Sequence, residues 1–262
     1  MDALRELQSI SLDYILLLFL RVSAIIWSSP VFGRTGIPAP AKIALTIALS
    51  YFFYTSVPVT LGPLYSSVPG YVLLCVKELL IGMIMGYVLS MFFYVTHTAG
   101  YLIDLQIGFG MANLYDPQTA TSVPLLGNAL NVMLTLLFFA TGAHRELIGM
   151  LHLVVVRIPI GQITPSLEIV EVVIELFAQS FLLGVRMALP VMVASMLTEA
   201  ILGMIIHSIP QMNMFVVGMP LKVLLGFIIL MMVMPVYAEF SGELFGQMYE
   251  GMGRIFSMMA GA

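Results

Sequence analysis

Apolar residues run along this chain in long blocks, separated by short stretches rich in proline and glycine. A helix needs about 20 apolar residues to cross a bilayer, and several blocks approach that length. The first covers residues 12–32, with Asp13 near its edge and Arg21 inside it. Residues 33–40 (GRTGIPAP) read as a loop. The next block, 41–61, is almost free of charge beyond Lys42, and Pro38 and Pro40 just before it suit a helix start. A proline- and glycine-punctuated loop at 58–70 leads into the long run 71–97, with Lys77 and Glu78 near its start. Residues 124–141 form another run. Residues 146–159 are apolar but too short to span, which predicts an interfacial or core helix. After a turn-rich piece at 159–165, a helix is expected to start with Glu168, Glu171 and Glu175 near its positive dipole end. It is expected to run to about His207, with Pro190 as a kink. The last strongly apolar run is 215–238, interrupted by Pro220 and Lys222.

The segment 239–256 differs from all of these. Phe240, Leu244, Met248 and Met252 recur every four residues, while Glu239, Glu243, Glu250 and Arg254 lie off that stripe. The pattern predicts an amphipathic terminal helix lying on a membrane or on a partner. In all there are six or so strong apolar segments plus shorter ones, with no repeat and no soluble domain.

Composition sharpens this picture. Of the 262 residues, 60% are apolar and 9% charged, against about 25% charged in a soluble domain; mean hydropathy is +1.05. Such a chain is not an ordinary soluble globule, a disordered chain or a nucleic-acid binder, and its ten lysines and arginines form no basic patch. The expected fold class is all-α and integral to the membrane, because lipid leaves no water for unpaired backbone groups. The lone cysteine, Cys75, excludes an intramolecular disulfide framework and a cysteine-based metal site. The N-terminus, with Asp2, Arg5 and Glu6, is net acidic and is not expected to be a secretory signal peptide.

Enzyme signatures are absent: no H-E-x-x-H, G-x-S-x-G or P-loop occurs. The histidines at 97, 144, 152 and 207 follow no metal-ligand spacing, so neither metal nor cofactor is implied. More informative are charges set in apolar surroundings: Arg21, Asp104, Arg186 and Glu199. A charge in hydrocarbon costs several kcal/mol unless paired or hydrated. Two readings compete for them, a hydrated or proton-relay path and buried ion pairs that fix helix packing. The 21 methionines read either as apolar filler or as a deformable seal able to repack around a varying object. Gly82 and Gly86, in G-x-x-x-G spacing, permit close helix approach.

Two loops stand out. In residues 106–124 (QIGFGMANLYDPQTATSVP), two glycines bracket Phe109, and Asn113, Asp116 and Pro117 mark turns. Yet Phe109, Met111, Leu114 and Tyr115 are apolar. An irregular apolar loop between membrane helices is tolerated where protein buries it or where it lines a cavity, so it reads as a re-entrant loop or plug, or else as an exposed connection. In residues 208–220 (SIPQMNMFVVGMP), Pro210 and Asn213 mark the turn of a helical hairpin.

These two loops also carry a family resemblance. Residues 108–118 (GFGMANLYDPQ) with 123–127 (VPLLG), and residues 210–222 (PQMNMFVVGMPLK), resemble the signature segments of the FliR family of the flagellar type III export apparatus. Arg21 and the following Pro30, Val31, Phe32 and Gly33 are similar to that family too, and the match extends over essentially the whole chain. The resemblance implies a non-enzymatic pore subunit of the bacterial inner membrane, in the flagellar basal body. Its implied partners are FliP, FliQ, FlhB, membrane lipid and the unfolded flagellar proteins that pass through the pore, with no nucleic acid. The implied architecture is a FliP-like part over 1–167, a FliQ-like hairpin over 168–238 and the amphipathic end 239–262, rather than a simple up-and-down bundle. The loop at about 107–122 would plug the closed pore, with Gly108 and Gly110 bending it. Phe109, Met111, Asn113, Leu114, Tyr115, Asp116 and Pro117 would make up its body. Pro210, Gln211, Met212, Asn213, Met214 and Phe215 would form the hairpin turn. The SctT family of injectisomes is the close cousin, and an injectisome export-gate subunit is the alternative that the resemblance implies. A small-solute transporter using Asp104, Arg186 and Glu199 is the alternative that the charges alone suggest.

Overall fold

The computed structural model describes residues 2–56, 65, 67–109, 124–158, 160–161, 168–208 and 214–259. Those residues form α-helices and no strand. In chain order they are α1 (Asp2–Ser28), α2 (Ala39–Ser56), α3 (Val68–Ile107), α4 (Leu125–Ala140), α5 (Ala143–Arg157), α6 (Glu168–Ser208) and α7 (Met219–Met259), the last preceded by a π-helical turn, Met214–Gly218.

The chain is an all-α membrane protein. Among the described residues, three stretches are long and apolar enough to cross a membrane: Val68–Ile107, Glu168–Ile205 and Val216–Met259. The count rises to four if α4 and α5, which meet at a bend, make one span. This is fewer than the six or so segments that the apolar blocks suggest. The blocks at 12–32 and 41–61, which begin in α1 and α2, are not among those three stretches. The run 71–97 continues through Asp104 to Ile107, giving a 40-residue helix, about 60 Å of helix at 1.5 Å per residue. Residues 239–259 likewise are not a separate helix: they continue α7, with Pro235 inside it, to a length of 41 residues. The stretch expected at 146–159 is α5, and α6 runs to Ser208 with Pro190 inside it, one residue beyond the expected end.

The helices cluster into two compact units that interleave along the sequence. One comprises Met1–Met91, Gly142–Phe177 and Gln247–Ala262; the other comprises Phe92–Thr141 and Ala178–Gly246.

In the first unit, α1 supplies the core with Leu17, Leu18, Val22, Ile25 and Ile26, all buried. The beginning of α3 lies directly on it. A Cβ on Gly82 would stand 2.4 Å from the Arg21 carbonyl oxygen, and one on Gly86 would strike the Ser28 side chain. The small-residue spacing thus does what it predicts: it brings two backbones together. The Ser90 hydroxyl adds a hydrogen bond to the Ser28 carbonyl at 2.7 Å. Lys42 opens α2 by donating to the Gly33 carbonyl at 2.7 Å and lying over the Trp27 ring, which satisfies a cation that is otherwise buried. The last turns of α7 pack on the start of α6. Gly251 leaves room for Leu176, and Tyr249 donates to the Ala143 carbonyl at 2.6 Å.

The buried face of that last segment corrects its expected placement. Met248 and Met252 have no solvent exposure, Leu244 has almost none, and Phe240 is half-buried. The amphipathic stripe is therefore used inside the chain itself rather than laid on a membrane or a partner.

In the second unit, Phe93, Phe138 and Phe245 form an aromatic cluster with ring centroids 5.5–6.4 Å apart. Asn131 of α4 donates to the Phe93 carbonyl and to the Thr96 hydroxyl, both at 3.3 Å. Gly100 and Gly127 mark the closest approach of α3 and α4, since a Cβ on Gly100 would stand 2.1 Å from the Gly127 Cα.

Candidate functional site

The four charges singled out by sequence separate into two kinds. Arg21 and Asp104 are buried; Arg186 and Glu199 are exposed. The chain by itself therefore does not cover the latter two, and helix phase is the reason. Arg186 shares an α6 face with Leu182, Leu189 and Val193, all of which are also exposed. Glu199 lies on the same helix with its side chain half exposed.

Arg21 sits at the heart of the first unit. Its Nε donates to Glu78 Oε2 at 2.5 Å and its Nη1 donates to the Ile158 carbonyl at 3.0 Å. Glu78 Oε1 in turn accepts from the Gly161 amide at 2.9 Å. Gly161 has φ +83°, a left-handed conformation that favours glycine. One buried ion pair thus joins α1, α3 and the segment after α5. The sequence places Glu78 near the start of its run without marking it as the partner of Arg21. The available signal was a carboxylate near the start of an apolar block, since a buried arginine needs one.

Asp104 has no ion pair among the described residues. Its carboxylate accepts the Leu126 amide, with contacts of 3.2 and 3.3 Å. Glu199 pairs instead with Lys222 of α7 at 3.0 Å, and Gln106 of α3 approaches its other oxygen at 3.5 Å. Lys222 was legible only as an interruption of the last apolar run.

Of the expected plug loop, residues 107–109 are described, with Ile107 the last residue of α3. Gly108 follows it at φ +103°, which only glycine adopts readily. Phe109 stands edge-on to Phe227 of α7, with centroids 5.5 Å apart. Gly110, Met111, Asn113, Leu114, Tyr115, Asp116 and Pro117 lie outside the described residues, as do Pro210, Gln211, Met212 and Asn213 of the expected hairpin turn. Met214 and Phe215 open the π-helical turn before α7.

The outer surface is the other functional feature. Many large apolar side chains face outward: Tyr51, Leu197, Met204, Met231 and Met232 are each more than 60% exposed. A monomer in water rarely shows such continuous apolar surface. The methionines divide accordingly. Met85, Met248 and Met252 fill the core, whereas Met83, Met196, Met204, Met231 and Met232 stand outside it. In the first unit an apolar groove of about 320 Å³ opens between α1 and α2, lined among others by Leu16, Phe19, Ile47, Tyr51 and Tyr54. Such surfaces suit lipid or apolar protein, not the orientation of a reacting substrate.

Residues 12–248 match the model of the bacterial export proteins, family 1. The chain belongs to this family. The flagellar biosynthetic protein FliR of Bacillus subtilis (strain 168) is 30% identical over 247 residues, covering 93% of this chain and 95% of the relative. FliR of Escherichia coli (strain K12) is 28% identical over 238 residues, 91% of this chain and 90% of the relative. FliR of Aquifex aeolicus (strain VF5) is 30% identical over 221 residues, covering 84% and 85%. Membership of the FliR family makes the chain a component of flagellar export. The matched span 12–248 contains both unusual loops.

Proposed function

We propose that this chain is a non-enzymatic pore subunit of the flagellar export gate in the bacterial inner membrane. It assembles with FliP, FliQ and FlhB and passes unfolded flagellar proteins outward. The loop at 107–122 closes the pore at rest, with Phe109, Met111, Leu114 and Tyr115 filling the lumen. The FliP-like part (1–167) and the FliQ-like hairpin (168–238, turning at 210–215) present apolar faces to neighbouring subunits or lipid. Exposed methionines repack around each passing chain.

The observation that carries this reading is the family match across residues 12–248 of a chain whose helices leave their outer faces apolar. Surface of that kind is stable only when covered. Arg21 and Glu78 are tied to each other and to backbone groups, which suits a packing role for that pair.

Co-expression with FliP and FliQ, detergent extraction and native mass measurement test the assembly. A single heteromeric complex is expected, with this chain unstable when expressed alone. A monodisperse particle containing only this chain overturns the proposal. Deleting 110–116 tests the plug: the assembled variant should leak ions in cells, and unchanged conductance counts against that role.

A further inference from the structure

One residue touches both ends of the connection between α3 and α4. The carbonyl of Asp104 accepts the Gly108 amide at 3.0 Å, the last hydrogen bond of α3 before the chain leaves it. The carboxylate of the same residue accepts the Leu126 amide in the first turn of α4. That turn is in need of an acceptor. The residue before Leu125 is Pro124, which makes no side-chain cap, and the first amides of a helix have no partner of their own. Asp104 supplies the missing cap from another helix, and a negative group suits the positive end of the α4 dipole. Beside it the Gly100–Gly127 contact leaves no room for a side chain between the backbones. Asp104 as a residue is 5% exposed.

We infer that Asp104 is a positioning residue: by capping α4 it pins the two ends of the 108–124 connection to each other. It thereby sets where the connection leaves α3 at Gly108 and where it enters α4 at Pro124. This rests on the pore-plug reading for its consequence in export, but not for its geometry. It also assigns Asp104 a role that needs an acceptor oxygen and no proton transfer.

The test uses the full chain, co-expressed with FliP and FliQ, in four forms: wild type, Asp104→Asn, Asp104→Ala, and Asp104→Ala with Pro124→Ser. Two quantities are read, ion leak in cells and amide exchange over the first turn of α4. Asparagine keeps an acceptor oxygen, so Asp104→Asn should stay within about twofold of wild type in both. Asp104→Ala should exchange its Leu126 amide about fivefold faster or more, the scale of a lost helix cap, and should leak. Serine at 124 is a local cap, so the double variant should recover both. A residue that caps nothing predicts otherwise: Leu126 exchange unchanged in Asp104→Ala, or faster exchange and leak that Pro124→Ser does not rescue. Either result overturns the inference.

If Asp104→Ala alone fails to assemble, assembly of the double variant supports the cap and its failure overturns it. The plug reading fails separately. If the exchange pattern is as expected while neither Asp104→Ala nor the 110–116 deletion leaks, the cap stands and the plug does not.

Discussion

In the unit containing Met1–Met91, Arg21 and Glu78 meet with their side chains at 0% and 1% exposure; in the unit containing Phe92–Thr141, Lys222 and Glu199 meet with theirs at 17% and 50%. The chemistry of the two pairs is nearly the same, and the consequences differ because water differs. A charge fully out of water loses several kcal/mol of hydration, which only a well-placed partner and further hydrogen bonds offset. The Arg21 pair has both: the Ile158 carbonyl and the Gly161 amide bond to it, although Arg21 Nη2 has no partner among the described residues. It cannot be taken apart without leaving a bare charge in the core. The Glu199 pair is only partly covered by the chain itself, so within the chain separating it leaves no fully buried charge.

The largest effect that would sharpen this contrast comes from removing one partner of the buried pair. Glu78→Gln or Arg21→Met should destabilise the fold by roughly 3–5 kcal/mol. In practice little intact protein should be recovered after extraction. Recovery at wild-type level would mean that the pair contributes nothing, and the contrast would collapse. Replacing both partners together, Arg21→Met with Glu78→Leu, separates the cost of the pair from the cost of an orphan charge. An apolar pair of similar volume often matches or exceeds a buried ion pair, so the double variant should be recovered far better than either single one. A double variant as poor as the singles would assign the pair a role beyond neutralising charge.

Steric changes come next. Gly82→Val would force a side chain into the Arg21 carbonyl in the first unit, and Gly100→Val would force one into Gly127 in the second. Overpacking of this kind costs about 1–3 kcal/mol where neighbours can yield. Here the obstacle is partly backbone, so values at the upper end are expected, read as a lower melting temperature of the purified complex. If Gly82→Val were silent, the close packing of α1 on α3 would be wrong. The smallest effect belongs to the exposed pair. Lys222→Met should change the melting temperature by the equivalent of at most about 1 kcal/mol. A drop as large as that of Glu78→Gln would show that a neighbouring subunit or lipid buries the Glu199 pair in the assembled gate.

The candidate site was legible to different depths at its different residues. Arg21 and Asp104 declared themselves as polar groups in apolar runs, and both are buried. Their partners did not, because the partner of each is set by helix crossing rather than by sequence separation: Glu78 is 57 positions from Arg21, and the Leu126 amide has no side-chain signature at all. Arg186 and Glu199 gave the same sequence signal as Arg21 and yet face outward. An all-round apolar helix has no polar face to say which side points inward, so the phase of α6 could not be read from its residues. The stripe at 240–252 illustrates the converse. It is a true amphipathic face, and its periodicity correctly marks which residues are covered, but not by what.

What the sequence by itself determined was the class of object: an all-α chain in membrane surroundings, with helices bounded by proline and glycine and a motif pair that places it in the FliR family. These follow from composition and local geometry, which are written residue by residue. What only the tertiary structure decided was pairing: Arg21 with Glu78, Asp104 with the Leu126 amide, Gly100 with Gly127, and the α7 stripe with the chain's own core. The physical reason is that a buried polar group or a missing Cβ states a requirement without naming the atom that meets it. That atom is chosen when helices far apart in sequence cross, and in a chain apolar on nearly every face many crossings satisfy the pattern equally well.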